Sequence, residues 1–135
     1  MTSTITYLGN LRTECTHVRS GQTWVTDAPT DNQGKGEAFS PTDLAATSLG
    51  ACMATIMGIS AAAHHLDITG MRMELTKHMA ADPRRISGIG IQIFMPAHAI
   101  DGKGKKILEA AARSCPVALS LHPEVAQDIV FHWPD

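Results

Sequence analysis

The stretch from Ser40 to His65 constrains this chain most, because it demands one long helix and a fold able to bury it. Ser40-Pro41-Thr42-Asp43 is a helix start. Ser40 can cap the first amides, Pro41 takes the first helical position without wasting a donor, and Asp43 suits the positive end of the dipole. Beyond it, Leu44, Ala45, Leu49, Cys52, Met53, Ile56, Met57 and Ile59 cover much of the circumference, so the helix is expected to be buried on most sides. Thr47, Ser48, Thr55 and Ser60 interrupt the apolar run, which reads as a helix buried in protein rather than in lipid. Gly50 and Gly58 lower helix propensity but allow a neighbouring backbone to come close.

What surrounds the helix follows from the rest of the pattern. Ile5 to Val18 lacks a helical stripe and reads as one or two strands with Gly9-Asn10 as a turn or bulge; Ser20-Gly21 is a hairpin turn before the strand Gln22 to Thr26. Asp27 to Ser40 is a loop of about fourteen residues, a length more often functional or disordered than neutral. Met71 to Ala80 alternates as a strand, with Met73 and Leu75 on one face and Arg72 and Glu74 on the other. Asp82 to Arg85 connects it to an antiparallel partner, Ile86 to Met95, whose Ile89, Ile91 and Ile93 face inwards. A helix from about Gly102 to Ser114 breaks at Cys115-Pro116; a short helical turn over Val117 to Leu121 and a strand from Ile129 to Trp133 close the chain. The order βββ-α-ββ-α-β is a mixed α+β fold, expected as a single domain over residues 1–135.

Composition removes several functions. With 11 Lys+Arg against 13 Asp+Glu, the net charge of -2 offers no basic field for a phosphate backbone, so nucleic acid is not an expected partner. Charged residues make up only 18%, low for a monomer of this size, which hints that surface is buried against another subunit. Met1 to Tyr7 has neither the basic nor the apolar region of a secretory signal, and three cysteines form no paired framework, so a reducing cytoplasm is the expected compartment and no membrane is expected as a partner. There is no C-x-x-C or H-E-x-x-H, and His64-His65 cannot both face one ion from a helix, so neither a metal nor any other cofactor is expected. Gln33 to Glu37 lacks the Gly-Lys-Ser/Thr of a phosphate loop, and no G-x-S-x-G elbow supports a serine nucleophile.

Two cysteines remain as chemistry. Cys52, within Leu49-Gly50-Ala51-Cys52-Met53, reads either as a small buried hydrophobe or as a reactive thiol. Cys115 sits where a helix stops at a proline, a poorer place for mere filling. Spacing alone does not show that they meet; if they do, one can attack an oxidant and the other can resolve the sulfenic acid as a disulfide. Cys15, on a strand, reads as structural.

Phe39-Ser40-Pro41-Thr42-Asp43-Leu44-Ala45-Ala46 leading into Leu49-Gly50-Ala51-Cys52, followed much later by Cys115-Pro116-Val117, resembles the OsmC/Ohr family, the osmotically inducible protein C and organic hydroperoxide resistance proteins. The resemblance spans nearly the whole chain. It implies an intertwined homodimer that reduces organic hydroperoxides, with Cys52 as peroxidatic and Cys115 as resolving thiol. It also implies an arginine in the amino-terminal strands, which falls on Arg12, or on Arg19 if the strands are offset. The family's glutamate, ten residues before Cys52, is replaced by Thr42; Asp43 or Glu37 is left to supply a carboxylate, and Glu37 is expected to orient Arg12. That departure places the chain nearer the general OsmC-like branches.

Three functions therefore compete. A thiol peroxidase reset by an external dithiol leads, because both Cys52 and Cys115 are present. A binding protein for a small apolar ligand, on the same scaffold with vestigial cysteines, is favoured by Thr42. A redox sensor would form the disulfide without useful turnover.

Overall fold

The computed structural model describes residues 1–134. Its elements run β1 (Ser3–Gly9), β2 (Arg12–His17), β3 (Thr23–Asp27), α1 (Pro41–Ala63), β4 (Arg72–Ala80), β5 (Arg85–Phe94), α2 (Gly102–Arg113), α3 (Pro116–Ser120) and β6 (Ala126–His132). The order is the βββ-α-ββ-α-β expected from the pattern, with α3 as the short helical turn. The chain divides within α1 into two compact units, Met1–Ala45 and Ala46–Asp135.

The first unit is an antiparallel sheet in the order β1-β2-β3. Its first turn takes Gly9, Asn10 and Leu11 through positive φ, with a register shift between Tyr7 and Gly9, so the turn and the bulge are both present. Across the second hairpin the register pairs Arg12 with Asp27, Thr13 with Thr26 and Cys15 with Trp24. The loop after β3 contains a single 3-10 turn, Thr30–Asn32, and is tied at its base: the Asp27 N–H is donated to the Phe39 carbonyl at 3.1 Å. Ser40 and Asp43 then start α1 reciprocally. The Asp43 N–H is donated to Ser40 Oγ at 3.1 Å and the Ser40 N–H to Asp43 Oδ2 at 3.0 Å, a capping box with aspartate in the acidic place.

The second unit holds the core. In its sheet β5 is central, antiparallel to β4 and parallel to β6, and the parallel step needs the crossover that α2 and α3 supply. Ile89, Ile91 and Ile93 are fully buried and cluster with Leu49, Met53 and Met57 of α1 and Leu108 of α2. Each such side chain contributes about 1.5–3 kcal/mol relative to leaving it in water. Gly50 lies so close to β4 that a Cβ there would meet Leu75 Cδ2 at 2.9 Å; the approach is tight, but a side chain makes it and not the expected backbone.

Other expectations need correction. Gly58 makes no such approach, since a Cβ there would meet nothing within 4 Å. The helix is not buried on most sides within one chain: Ala51, Thr55, Ile59 and Ala62 lie on a face that stays exposed, Ile59 by 63%. The stripe through Ala46, Leu49, Met53, Met57 and Ala61 is buried in the core, with Cys52 and Ile56 packed at its edge. Among the described residues α1 is the one helix long and apolar enough to cross a membrane by length and composition. The last strand begins at Ala126, before the expected Ile129. Its first residues, Ala126, Gln127 and Asp128, give no apolar alternation, but they pair with Gly88, Ile89 and Gly90 of β5, and Gln127 donates Nε2–H to the Ala118 carbonyl at 3.1 Å.

Candidate functional site

Within the second unit, α1 and the break between α2 and α3 bring two thiols together. Cys52 projects from the middle of α1 and is half-buried; Cys115 is fully buried and caps α3, its sulfur accepting the Ala118 N–H at 3.3 Å. The capping follows from the local sequence. Pro116 at the first position of α3 forces Cys115 into extended backbone, φ -68 and ψ 144, which turns its side chain onto the following amides. The Cys52 thiol neighbours the Cys115 thiol in the core cluster, and neither is in a disulfide.

The two thiols differ in environment. Burial pushes the Cys115 thiol above its ordinary pKa; the Ala118 N–H opposes this, and the neighbouring Cys52 adds to the rise. A raised value means the neutral thiol is the form the fold favours, and the thiolate appears only as pH climbs above the usual thiol range. Alkylation by iodoacetamide at neutral pH is therefore expected to modify Cys52 first, with Cys115 at least about tenfold slower, as read by mass spectrometry of timed digests. Equal rates would contradict this difference in environment.

The first unit carries a separate charged cluster. Arg12 Nη1 donates to Glu37 Oε2 at 3.0 Å, so the pairing of these two residues expected from the sequence is made. Arg19, the alternative arginine, is exposed in the turn between β2 and β3. Thr42 Oγ1 lies 3.2 Å from Ser40 Oγ, and Asp43 is engaged in the capping box. Asp27 was not singled out in the sequence. Its carboxylate is buried, accepts the Glu37 N–H at 3.0 Å and lies 3.9 Å from Arg12 Nη1. A hairpin turning on Ser20-Gly21 would set residue 27 opposite residue 14; the observed register centres on Arg19-Ser20 and so brings Asp27 opposite Arg12.

Cys15, also in the first unit, is half-buried on β2, with Thr13 Oγ1 3.8 Å from its sulfur. It lines an apolar cavity of about 520 Å³ together with Ile5, Trp24, Thr26 and Leu44. Such a volume lies within the range of small-molecule sites. Among the described residues no group of three or more His, Cys, Asp or Glu could hold a metal ion.

Comparison with known proteins bears on the whole chain. A family model described as OsmC-like protein matches residues 34–129. The chain is similar to a protein of Psychrobacter arcticus 273-4, provisionally described as an osmotic stress induced and detoxification response protein. Identity is 52% and the TM-score 0.93, covering 98% of this chain and 96% of that one. It is similar in fold to the organic hydroperoxide resistance protein OsmC of Legionella pneumophila, at 15% identity and a TM-score of 0.76, with 97% and 96% of the two chains covered. The organic hydroperoxide resistance protein OhrB of Bacillus subtilis shares 17% identity, a TM-score of 0.71 and 98% of each chain. No curated protein matches the sequence.

Proposed function

The chain belongs to the OsmC-like protein family, and from that premise we propose that it is a thiol-dependent peroxidase that reduces organic hydroperoxides through Cys52 and Cys115. The observation that carries this reading is the pairing of a half-buried thiol with a buried one in the second unit. The Cys52 thiolate attacks the outer oxygen of the hydroperoxide. An S–O bond forms as the O–O bond breaks, and the departing alkoxide takes up a proton and leaves as the alcohol. Cys115, losing its proton, attacks the sulfur of the resulting sulfenic acid; water leaves and the pair becomes a disulfide. An external dithiol then returns electrons and protons to both sulfurs, as a reducing cytoplasm would allow.

Arg12 enters this reading through the family resemblance. A guanidinium stays charged at any physiological pH, and so can favour a thiolate and steady a departing alkoxide. Glu37, which it already contacts, supplies a carboxylate that Thr42 lacks. The apolar residues around Cys52, Leu49, Met53 and Ile56, favour a substrate with an apolar group, each buried CH₂ being worth about 0.8 kcal/mol.

Purified protein titrated with cumene hydroperoxide is expected to lose the Cys52 and Cys115 thiols together, and to turn over repeatedly once a dithiol is added. Hydrogen peroxide should react more slowly. Oxidation that stops after one equivalent despite the dithiol would leave the redox sensor. The cavity of about 520 Å³ in the first unit supports the second reading, a binding protein for a small apolar ligand. Tight binding of such a ligand with no thiol loss would replace the enzyme by that reading.

The proposal includes a homodimer in which the whole chain acts as a single domain. The exposed Ile59 face of α1 and the low charged fraction support it. Sedimentation at micromolar concentration is expected to give twice the chain mass; a stable monomer there would remove the dimer from the scheme.

A further inference from the structure

We propose that Asp27 is the residue that positions the Arg12 guanidinium, ahead of the more visible Glu37; this rests on the peroxidase reading for what Arg12 then does, but not for the contact itself. Two carboxylates meet one cation in the first unit, and their situations differ. The Glu37 side chain is 58% exposed, so water and salt compete for its 3.0 Å bond to Arg12 Nη1. Asp27 is 1% exposed and cannot be hydrated in place. A buried carboxylate needs a cation and hydrogen-bond donors close by, and here they are Arg12 Nη1 at 3.9 Å and the Glu37 N–H at 3.0 Å.

Backbone geometry strengthens the case. Arg12 and Asp27 are direct partners in the β2–β3 register, so the ladder fixes their approach before any side chain is ordered. Glu37 reaches Arg12 from a loop, and Asp27 holds that loop twice. Its own N–H is donated to the Phe39 carbonyl at 3.1 Å, and its carboxylate takes the Glu37 amide. Asp27 thus places both the guanidinium and Glu37, the carboxylate expected from the sequence to orient it. It is a positioning residue, acting through Arg12 rather than on substrate.

The test compares Asp27→Asn with Glu37→Gln. Asparagine keeps the shape and can still accept the Glu37 N–H, but removes the charge. Nitrogen NMR of the Arg12 side chain reads the contact directly: restrained Nη signals are expected in wild type and Glu37→Gln, and averaged signals in Asp27→Asn. Peroxide reduction is expected to fall roughly tenfold or more in Asp27→Asn, as for other groups that hold a working side chain, mostly in kcat rather than KM, and by more than in Glu37→Gln. Averaged Arg12 signals in Glu37→Gln with restrained ones in Asp27→Asn would overturn the proposal. Should Asp27→Asn not fold, wild type in about 1 M NaCl decides, because salt screens the exposed pair and spares the buried one. Restrained signals there support Asp27, and averaged ones overturn it. If wild type reduces no hydroperoxide while the Arg12 signals respond as described, the peroxidase reading fails and the role of Asp27 stands.

Discussion

Cys52→Ser is expected to reduce organic hydroperoxides at least about a thousandfold more slowly than wild type, because on the proposed reading it removes the attacking atom itself. A serine hydroxyl of nearly the same size fills the space on α1, so folding should be unaffected; its much higher pKa leaves almost no anion at neutral pH. Cys115→Ser separates the steps. Its first encounter with cumene hydroperoxide should proceed, since Cys52 remains, but the sulfenic acid then has no partner and should be trapped or driven to sulfinic acid. Mass spectrometry would read this as an oxygen added to the Cys52 peptide, where wild type gives a Cys52–Cys115 linked peptide. Cys15, in the first unit, should stay reduced throughout. A Cys52→Ser protein with wild-type turnover, or a Cys15 link after mild oxidation, would end the scheme.

How much of this was legible depended on whether the signal was local. Ser40-Pro41-Thr42-Asp43 carries its whole mechanism in four residues, and α1 begins there with the capping box closed. Ile89, Ile91 and Ile93 alternate strictly and are buried as the alternation requires. Exposure of the Ile59 face was not legible, because an apolar helix face says only that it needs a partner, not whether one chain supplies it. The early start of β6 was hidden because backbone pairing rather than side-chain pattern makes it: Ala126 and Gln127 lie opposite Gly88 and Ile89 in the parallel ladder. Asp27 escaped for a related reason. An aspartate after a strand and before a proline-containing loop reads as turn chemistry, and only the hairpin register converts it into the partner of Arg12. The thiol pair joins residues sixty-three positions apart in sequence, a separation from which no pattern predicts contact.

Arg12→Ala should slow hydroperoxide reduction by about two to three orders of magnitude, the range seen when one preorganised stabilising group is removed. The proposed cause is loss of the charge that steadies the departing alkoxide. A second consequence comes from the first unit itself. Without the guanidinium, the buried Asp27 carboxylate keeps the Glu37 N–H but loses its cation, which should destabilise the fold by about 1–3 kcal/mol. Activity must therefore be read well below the unfolding temperature. Arg12→Lys distinguishes the two effects. An ammonium restores a charge near Asp27 and with it most of the stability, but it lacks the planar fork that can face a carboxylate and a leaving oxygen together. Its rate should recover only in part. Arg19→Ala should change neither property, since Arg19 lies exposed in the turn between β2 and β3. Wild-type rates in Arg12→Ala with a defect in Arg19→Ala would mean the arginine was assigned to the wrong strand position. Wild-type rates in both would mean that Cys52 reacts without a guanidinium, and the activation step would have to be abandoned.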